Sequence, residues 1–264
     1  MSPNCILERV VNTKSTNDDL LARWRAGELI DPVARIAHEQ TAGKGRAGRE
    51  WVANPHDSLC FSLAYPLKRR PNELNGLSLV MGLATISGIS KALNITTDDL
   101  FKAGLRLKWP NDLLFNGAKL SGILIEGGQA KPKDPSWMII GLGINLANAT
   151  TLKKGLLSDG EIAALDQLLP TTTSIPDVEW IWLKLIESFQ THLDEFDRNG
   201  FGHFQEAWSH WDALDGKAIC ISGQGKEPLN GISRGINETG ALLVQQAETI
   251  ITIHAGDVSL RAQT

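Results

Sequence analysis

The segment from Lys119 to Gly128 limits the fold of this chain more than any other part of the sequence. It contains the apolar run Ile123-Leu124-Ile125, which is typical of a strand buried on both faces of a sheet. Such a sheet needs a second layer on each side. The corner Trp109-Pro110-Asn111-Asp112 precedes this strand, so the Asp112 carboxylate and the Lys119 ammonium are expected at adjoining strand ends. That pairing of opposite charges indicates a functional site.

Other patterns predict the elements around this strand. Helices are expected at residues 16–27, 77–94 and 177–199, and the last of them has the apolar stripe of a core-facing helix. Strands are expected at residues 35–40, 58–66, 106–109, 119–126 and 137–141. The structure of residues 157–173 stays open, because this segment is polar and is interrupted by Pro170. Together the elements predict an α/β (α+β) fold with a mixed β-sheet backed by helices.

The pattern changes near residue 214 to short alternating strands, expected at residues 217–222, 231–236, 241–245 and 249–254. Glycine-containing turns separate them, at residues 223–225 and 237–240. A small, barrel-like all-β unit is therefore predicted. We expect two domains, at residues 1–214 and 215–264.

Composition excludes several classes of protein. The net charge of −4 among 264 residues argues against extensive binding to nucleic acid phosphates. The first residues resemble no signal peptide, and no apolar run approaches the roughly 20 residues that span a bilayer. We therefore expect a cytoplasmic protein that does not bind a membrane. The three cysteines and six histidines show no zinc or disulfide spacing, so no metal ligand is assigned.

The segment Gly43-Lys44-Gly45-Arg46-Ala47-Gly48 fits the pattern G-x-G-x-x-G of dinucleotide-binding folds. That fingerprint requires a helix directly after the glycines, and residues 49–55 are poor helix formers. Two interpretations remain open, a solvated surface loop and a flexible anion-binding loop. In the second, the glycines expose backbone N–H groups and Lys44, Arg46 and Arg49 supply cationic donors.

Five motifs occur in the order found in one family. They are Ser15-Thr16-Asn17, residues 40–51 from Gln40 to Trp51, the corner at residues 109–112 with Lys119, Gly141-Leu142-Gly143-Ile144-Asn145, and residues 231–236 before Ser259-Leu260-Arg261. In these motifs the chain resembles biotin protein ligases. The resemblance implies a catalytic domain followed by a small SH3-like β-barrel. It also implies activation of biotin with ATP and Mg²⁺ to biotinyl-5′-AMP, and then transfer to a lysine of a biotin carboxyl carrier domain of acetyl-CoA carboxylase.

The same resemblance assigns roles to individual residues. Arg46, Lys119 and Asp112 are implied to be catalytic. The residues implied to bind biotin are Ser15, Thr16, Asn17, Gln40, Gly43, Lys44, Arg46, Lys119, Gly122, Gly141 and Gly143. Those implied to bind ATP or the adenylate are Arg46, Arg49, Trp51, Asn111, Lys119, Asn145 and Arg261. Asp112 has two open roles, one toward the acceptor lysine and one toward Mg²⁺ through water, whereas Trp109 is expected to be a packing residue.

The chain also departs from the family pattern. Lys44 stands where many relatives have arginine, and residues 148–176 lack an aromatic residue that could close over adenine. Because Ser15 lies so near the start, the resemblance is to the monofunctional type without an N-terminal DNA-binding domain, and no sequence-specific DNA binding is expected. A homodimer is left open. The alternative functions are a lipoate or octanoyl ligase of related fold and a non-catalytic biotin sensor.

Overall fold

The computed structural model describes residues 4–154, 161–223, 226–254 and 259–262. Seven strands form the larger sheet: β1 Ile6–Thr13, β2 Val33–Gln40, β3 Ser58–Leu67, β4 Leu105–Lys108, β5 Asp112–Phe115, β6 Ala118–Gly128 and β7 Ser136–Asn145. The helices are α1 Thr16–Arg25, α2 Leu77–Leu93, α3 Thr97–Lys102, α4 Ala149–Lys154, α5 Val178–Asn199 and α6 Gln205–Trp211. The predicted fold class, a mixed sheet backed by helices with a small β unit, is confirmed.

The order of the larger sheet is β1-β2-β3-β7-β6-β5-β4. Strands β1 and β2 are parallel and are connected through α1, whereas the other neighbouring strands pair in the antiparallel direction. Sequence analysis did not predict β1, because its apolar residues are separated by Glu8 and Arg9 and it lies at the edge of the sheet. Strand β6 is an interior strand, as expected from its apolar run, but it is not buried on both faces, since Leu124 and Ile125 are only partly buried.

The two faces of this sheet are covered unequally. Helices α2 and α5 pack against each other and, with inward-facing residues such as Phe61, Ile140 and Leu142, form the main core. On the opposite face α1 covers a smaller cluster that includes Ala64 and Ile139. Since side chains alternate along a strand, Gly141, Gly143 and Ser62 fall on this second face, at the N-terminal end of α1. That part of the sheet is available as the floor of a cleft.

A second, five-stranded sheet contains β8 Ala218–Gly223, β9 Lys226–Ile236, β10 Leu242–Gln246, β11 Thr249–Ile253 and β12 Ser259–Ala262, in the order β11-β10-β9-β8-β12. Its strands are antiparallel. Trp109 is buried against it and donates from Nε1 to the Gly240 carbonyl at 2.9 Å. The expectation that Trp109 is a packing residue is confirmed. The two sheets share one apolar core, so separate cores do not mark the domain division at residues 214 and 215. That division stands as our proposal.

None of the described helices is both long and apolar enough to cross a membrane. In residues 161–173, the described part of the segment that sequence analysis left open, the structure has a short helical turn at Leu165–Leu168 and a bridge between Ile162 and Lys119.

Candidate functional site

A cleft of about 590 Å³ opens over the uncovered part of the larger sheet. Its floor includes Gly141 and Gly143 of β7, Gly122 of β6, and Ser62 of β3. The start of α1 forms one wall and residues 44–52 form another. The sheet positions the floor, because Gly143 pairs with Cys60 on one side and with Gly122 on the other.

The glycines of the floor make room for protein side chains. A Cβ atom at Gly143 would lie 2.3 Å from Trp51 Cε2, and one at Gly122 would lie 3.2 Å from Trp51 Cζ3. A Cβ at Gly141 would lie 2.6 Å from Asn17 Oδ1. These distances are too short for a Cβ atom at positions 141 and 143. The observed positions of the Trp51 and Asn17 side chains therefore require glycine there. In this structure the indole of Trp51 lies directly on the floor of the cleft.

A charged group occupies one end of the cleft. Asp112, at the start of β5, places Oδ1 2.7 Å from Lys119 Nζ on β6. The two side chains therefore form an ion pair, and the Asp112 oxygen in it is buried. Arg46 donates from Nη1 to Asn111 Oδ1 at 3.2 Å. The predicted meeting of Asp112 and Lys119 is confirmed, and Arg46 joins them at the same end.

The other end of the cleft is polar and buried. Thr16 donates from its backbone N to Gln40 Oε1 at 2.8 Å, and its hydroxyl lies 2.8 Å from Ser62 Oγ. Asn17 accepts from Ser62 Oγ at 2.8 Å. Ser15 caps α1, because its hydroxyl accepts from Asp18 N at 3.4 Å. Neutral donors and acceptors therefore converge at this end, and the ion pair between Lys44 and Asp18 lies beside them at the first turn of α1.

Residues 43–52 form a closed loop, not the start of a helix. Gly45 N donates to the Arg49 carbonyl at 2.7 Å and Trp51 N donates to the Gly43 carbonyl at 2.9 Å. A short turn at Arg46–Gly48 is followed by extended backbone, so the dinucleotide-binding context is missing here. Glu50 is the single acidic residue within this segment, but Lys44 pairs with Asp18 of α1, at 2.7 Å.

Several assigned residues differ in their surroundings from what the family pattern implies. Asn111 donates from Nδ2 to the Ile123 carbonyl at 2.8 Å, and Asn145 donates to the Ala163 carbonyl at 3.0 Å. The side-chain amide of each residue therefore already donates a hydrogen bond to a main-chain carbonyl. Gly43 is absent from the cleft lining and pairs with the backbone of Trp51. The Arg261 side chain lies outside the described residues, although its backbone belongs to β12.

The structure also adds residues that sequence analysis missed. Ser62 and Cys60 line the cleft, and the alternation along β3 is the signal that could have placed them beside Gly141 and Gly143. Burial raises the pKa of the Cys60 thiol to about 12, while Trp51 and Gln40 oppose this effect weakly. Cys60 is therefore a neutral thiol at physiological pH and part of the apolar floor.

Two family models match this chain. Residues 9–145 match the biotin/lipoate A/B protein ligase family, and residues 216–261 match the biotin protein ligase C-terminal domain. The first match contains all the assigned residues except Arg261, which lies in the second.

Individual relatives agree with these matches. The bifunctional ligase/repressor BirA of Salmonella typhimurium is 33% identical over 248 residues, covering 94% of this chain and 72% of that protein. The biotin–[acetyl-CoA-carboxylase] ligase of Mycobacterium tuberculosis is 30% identical over 253 residues, covering 96% and 88%. The structure of biotin protein ligase from Aquifex aeolicus in complex with biotin and ATP has a TM-score of 0.75 at 26% identity, covering 98% and 99%. The chain therefore belongs to the biotin/lipoate A/B protein ligase family, on its biotin protein ligase branch.

Proposed function

We propose that this chain is an ATP-dependent biotin–[acetyl-CoA-carboxylase] ligase. It activates biotin to biotinyl-5′-AMP and transfers the biotinyl group to a lysine of a biotin carboxyl carrier domain. The observation that carries the proposal is the division of one cleft into two chemically different ends. Lys119, Arg46 and Asp112 converge at one end, and Thr16, Gln40 and their neutral neighbours converge at the other.

The charged end suits the first step. A carboxylate is a poor electrophile, so the biotin carboxylate must first attack the α-phosphorus of ATP and expel pyrophosphate. Two anions approach each other in that step, and cations placed between them stabilise the developing charge where water is excluded. Lys119 and Arg46 supply those cations, and both carry donors on a long side chain.

Asp112 suits the second step. The acceptor lysine must lose a proton before its amine can attack the mixed anhydride. Asp112 lines the charged end of the cleft and already pairs with the ammonium of Lys119, so its carboxylate is placed to orient an incoming ammonium group or accept its proton.

Mg²⁺ would neutralise the phosphates of ATP when bound. The described residues contain no cluster of three or more His, Cys, Asp or Glu side chains that could hold a metal ion. We therefore propose that ATP carries Mg²⁺ into the site, with Asp112 as the carboxylate that could reach it through water.

The polar end suits biotin. The ureido group of biotin has two N–H donors and one carbonyl acceptor, and such a group needs short polar side chains inside an apolar pocket. Ser15, Thr16, Asn17 and Gln40 are of that kind, and the Gly122, Gly141 and Gly143 floor lies beside them. The Trp51 indole now lies on this floor, so we propose that it moves aside when the ring binds here. The adenine then binds against Trp51, with Arg49, Asn111 and Asn145 around it.

The decisive experiment is incubation of the protein with biotin, MgATP and a purified carrier domain, followed by intact-mass measurement of the carrier. We expect addition of one biotinyl group. Parallel reactions with lipoate and octanoate test the related ligases, and modification by those acids alone would contradict our proposal. A non-catalytic sensor would bind biotin without biotin-dependent exchange of pyrophosphate into ATP.

We expect the loop at residues 43–52 to become ordered on ligand binding. Its glycines give the free loop many backbone conformations, so ordering the loop costs conformational entropy. Contacts between the anionic ligands and Arg46 or Arg49 would compensate for this cost. Amide hydrogen exchange should therefore slow across residues 43–52 when biotin and ATP are both present. Amides that are already protected in the free protein, and unchanged by ligands, would show a rigid loop instead.

The remaining partner assignments are proposals of the same kind. We propose that the carrier domain approaches the charged end of the cleft, where Asp112 lies. The oligomeric state of the protein can be measured by sedimentation.

We expect no sequence-specific DNA binding, and the net charge of −4 supports this expectation. Nanomolar binding to an operator at physiological salt would contradict it.

A further inference from the structure

A chain of hydrogen bonds leads out of the polar end of the cleft to Glu126 of β6. Asn17 Nδ2 donates to Glu126 Oε2 at 2.7 Å, Ser62 Oγ donates to Asn17 Oδ1 at 2.8 Å, and Thr16 Oγ1 lies 2.8 Å from Ser62 Oγ. Thr16, Asn17 and Ser62 are almost completely buried. Glu126 does not line the cleft, and the roles assigned above do not use it.

Glu126 determines which way the amide of Asn17 points. An ionised carboxylate only accepts hydrogen bonds, so the amide nitrogen must face Glu126. The reverse orientation would place two oxygens 2.7 Å apart and would leave the buried amide nitrogen facing Ser62. Asn17 Oδ1 is therefore held toward Ser62 and toward the cleft.

This orientation determines the polarity of the next two side chains. The single hydroxyl proton of Ser62 goes to Asn17 Oδ1, so Ser62 presents lone pairs to the cleft and to Thr16. The hydroxyl proton of Thr16 is shared between Ser62 Oγ and Gln40 Oε1, which lies 3.0 Å away. What remains for a ligand at Asn17, Ser62 and Thr16 is a group of acceptors. Chains of hydrogen bonds that run in one direction strengthen one another.

A separate feature of the sheet makes room for this arrangement. The Asn17 amide fits against β7 because position 141 is glycine, since a Cβ there would lie 2.6 Å from Asn17 Oδ1 and 3.4 Å from Ser62 Oγ. The backbone of Gly141 and the carboxylate of Glu126 therefore hold the same amide from two sides.

We propose that Glu126 is a positioning residue that makes the polar end of the cleft an acceptor for the ureido N–H groups of biotin. It acts through Asn17 and Ser62 and does not touch the ligand. This inference rests on the proposed function, because it takes biotin as the ligand of that end. It predicts that Glu126 affects recognition of biotin and leaves recognition of ATP unchanged.

The test compares Glu126→Ala and Glu126→Gln with the wild type. Loss of a hydrogen bond to a charged partner predicts that Glu126→Ala raises the Kd and the KM for biotin roughly tenfold or more. The KM for ATP and the kcat should change little. Glu126→Gln keeps the size and one acceptor, so it should restore most of the affinity. Calorimetric titration with biotin alone gives the Kd without requiring turnover.

Glu8→Gln is the matched control. Glu8 also contacts α1, where it accepts from Arg23 Nη1 at 2.9 Å, but it lies away from the cleft. Its substitution should leave the Kd for biotin unchanged. Thermal unfolding of each variant separates loss of binding from loss of fold.

Two biotin analogues, each methylated on one ureido nitrogen, probe the polarity directly. The wild type should discriminate against at least one of them, and Glu126→Ala should reduce that discrimination roughly tenfold. Gly141→Ala should reduce it as well, because it displaces the same amide.

The outcomes separate this inference from the proposed function. A wild-type Kd for biotin in Glu126→Ala, or an equal rise in the KM for ATP, would overturn the inference alone. If the wild type binds biotin but forms no biotinyl-adenylate, the proposed function is wrong while the Kd comparison still decides the role of Glu126. If the wild type binds no biotin, both are wrong.

Discussion

Replacing Lys119 with alanine is expected to slow formation of biotinyl-adenylate about 100-fold or more, as loss of one preorganised donor does in other active sites. Lys119 Nζ lies 2.7 Å from Asp112 Oδ1 and 5.7 Å from the centroid of the Trp51 ring, at the charged end of the cleft. Its ammonium stabilises charge that develops in the transition state, so the affinity for biotin alone should change less. Biotin-dependent exchange of pyrophosphate into ATP measures this step.

Lys184→Ala is a close control for this substitution. Lys184 has similar neighbours, with Glu187 at 3.2 Å and the Trp180 ring centroid at 4.4 Å, but it lies on α5, away from the cleft. Its removal should leave the exchange rate unchanged. Near-normal exchange by the Lys119→Ala enzyme would remove Lys119 from the proposed mechanism, and an intermediate rate for Lys119→Arg would show that charge alone is insufficient.

Trp109→Ala is expected to give the largest loss of stability, about 3–5 kcal/mol, as for other fully buried aromatic residues. Only 1% of Trp109 is exposed, and its indole joins the larger sheet to the turn at Gly240. The substitution removes apolar contacts, leaves a cavity between the two sheets and deprives the Gly240 carbonyl of its donor. Trp109→Phe keeps most of the side-chain volume but loses the hydrogen bond to Gly240. That lost hydrogen bond should account for about 1 kcal/mol of the decrease in stability.

Trp180→Ala provides the comparison. Trp180 also donates from Nε1 to a backbone carbonyl, that of Ala92 at 3.1 Å, but 47% of the residue is exposed. Its loss should therefore cost about 1 kcal/mol. Urea unfolding of the full chain, with the midpoint and slope compared among the variants, measures both effects. Equal losses for the two tryptophans would contradict a special role for Trp109 at the junction.

The sequence by itself determined the elements with a strong local period. The stripe of α5 specifies which face of the helix is buried, and the apolar run of β6 marks a strand in the interior of a sheet, so neither needs knowledge of the rest of the chain. The meeting of Asp112 and Lys119 was also predictable, since a short turn between neighbouring strands leaves little freedom. The family followed from motifs whose order along the chain is itself part of the sequence.

Tertiary structure alone decided the contacts between distant segments. Residues 6–13 form strand β1 because β2 provides a parallel partner. The alternation of apolar and polar residues within this segment is too weak to predict a strand. Trp51 lies on Gly143, and Lys44 pairs with Asp18 instead of Glu50, because the loop folds back over α1 and the sheet.

The link between Asn17 and Glu126 shows the physical reason most clearly. These residues are 109 positions apart in the chain, and neither belongs to a periodic pattern that includes the other. Their contact exists because α1 packs across β6 and β7 and because Gly141 leaves space for an amide. Periodicity reports which side of an element is buried, but which groups then share a hydrogen bond depends on how whole elements pack, and only the folded chain contains that information.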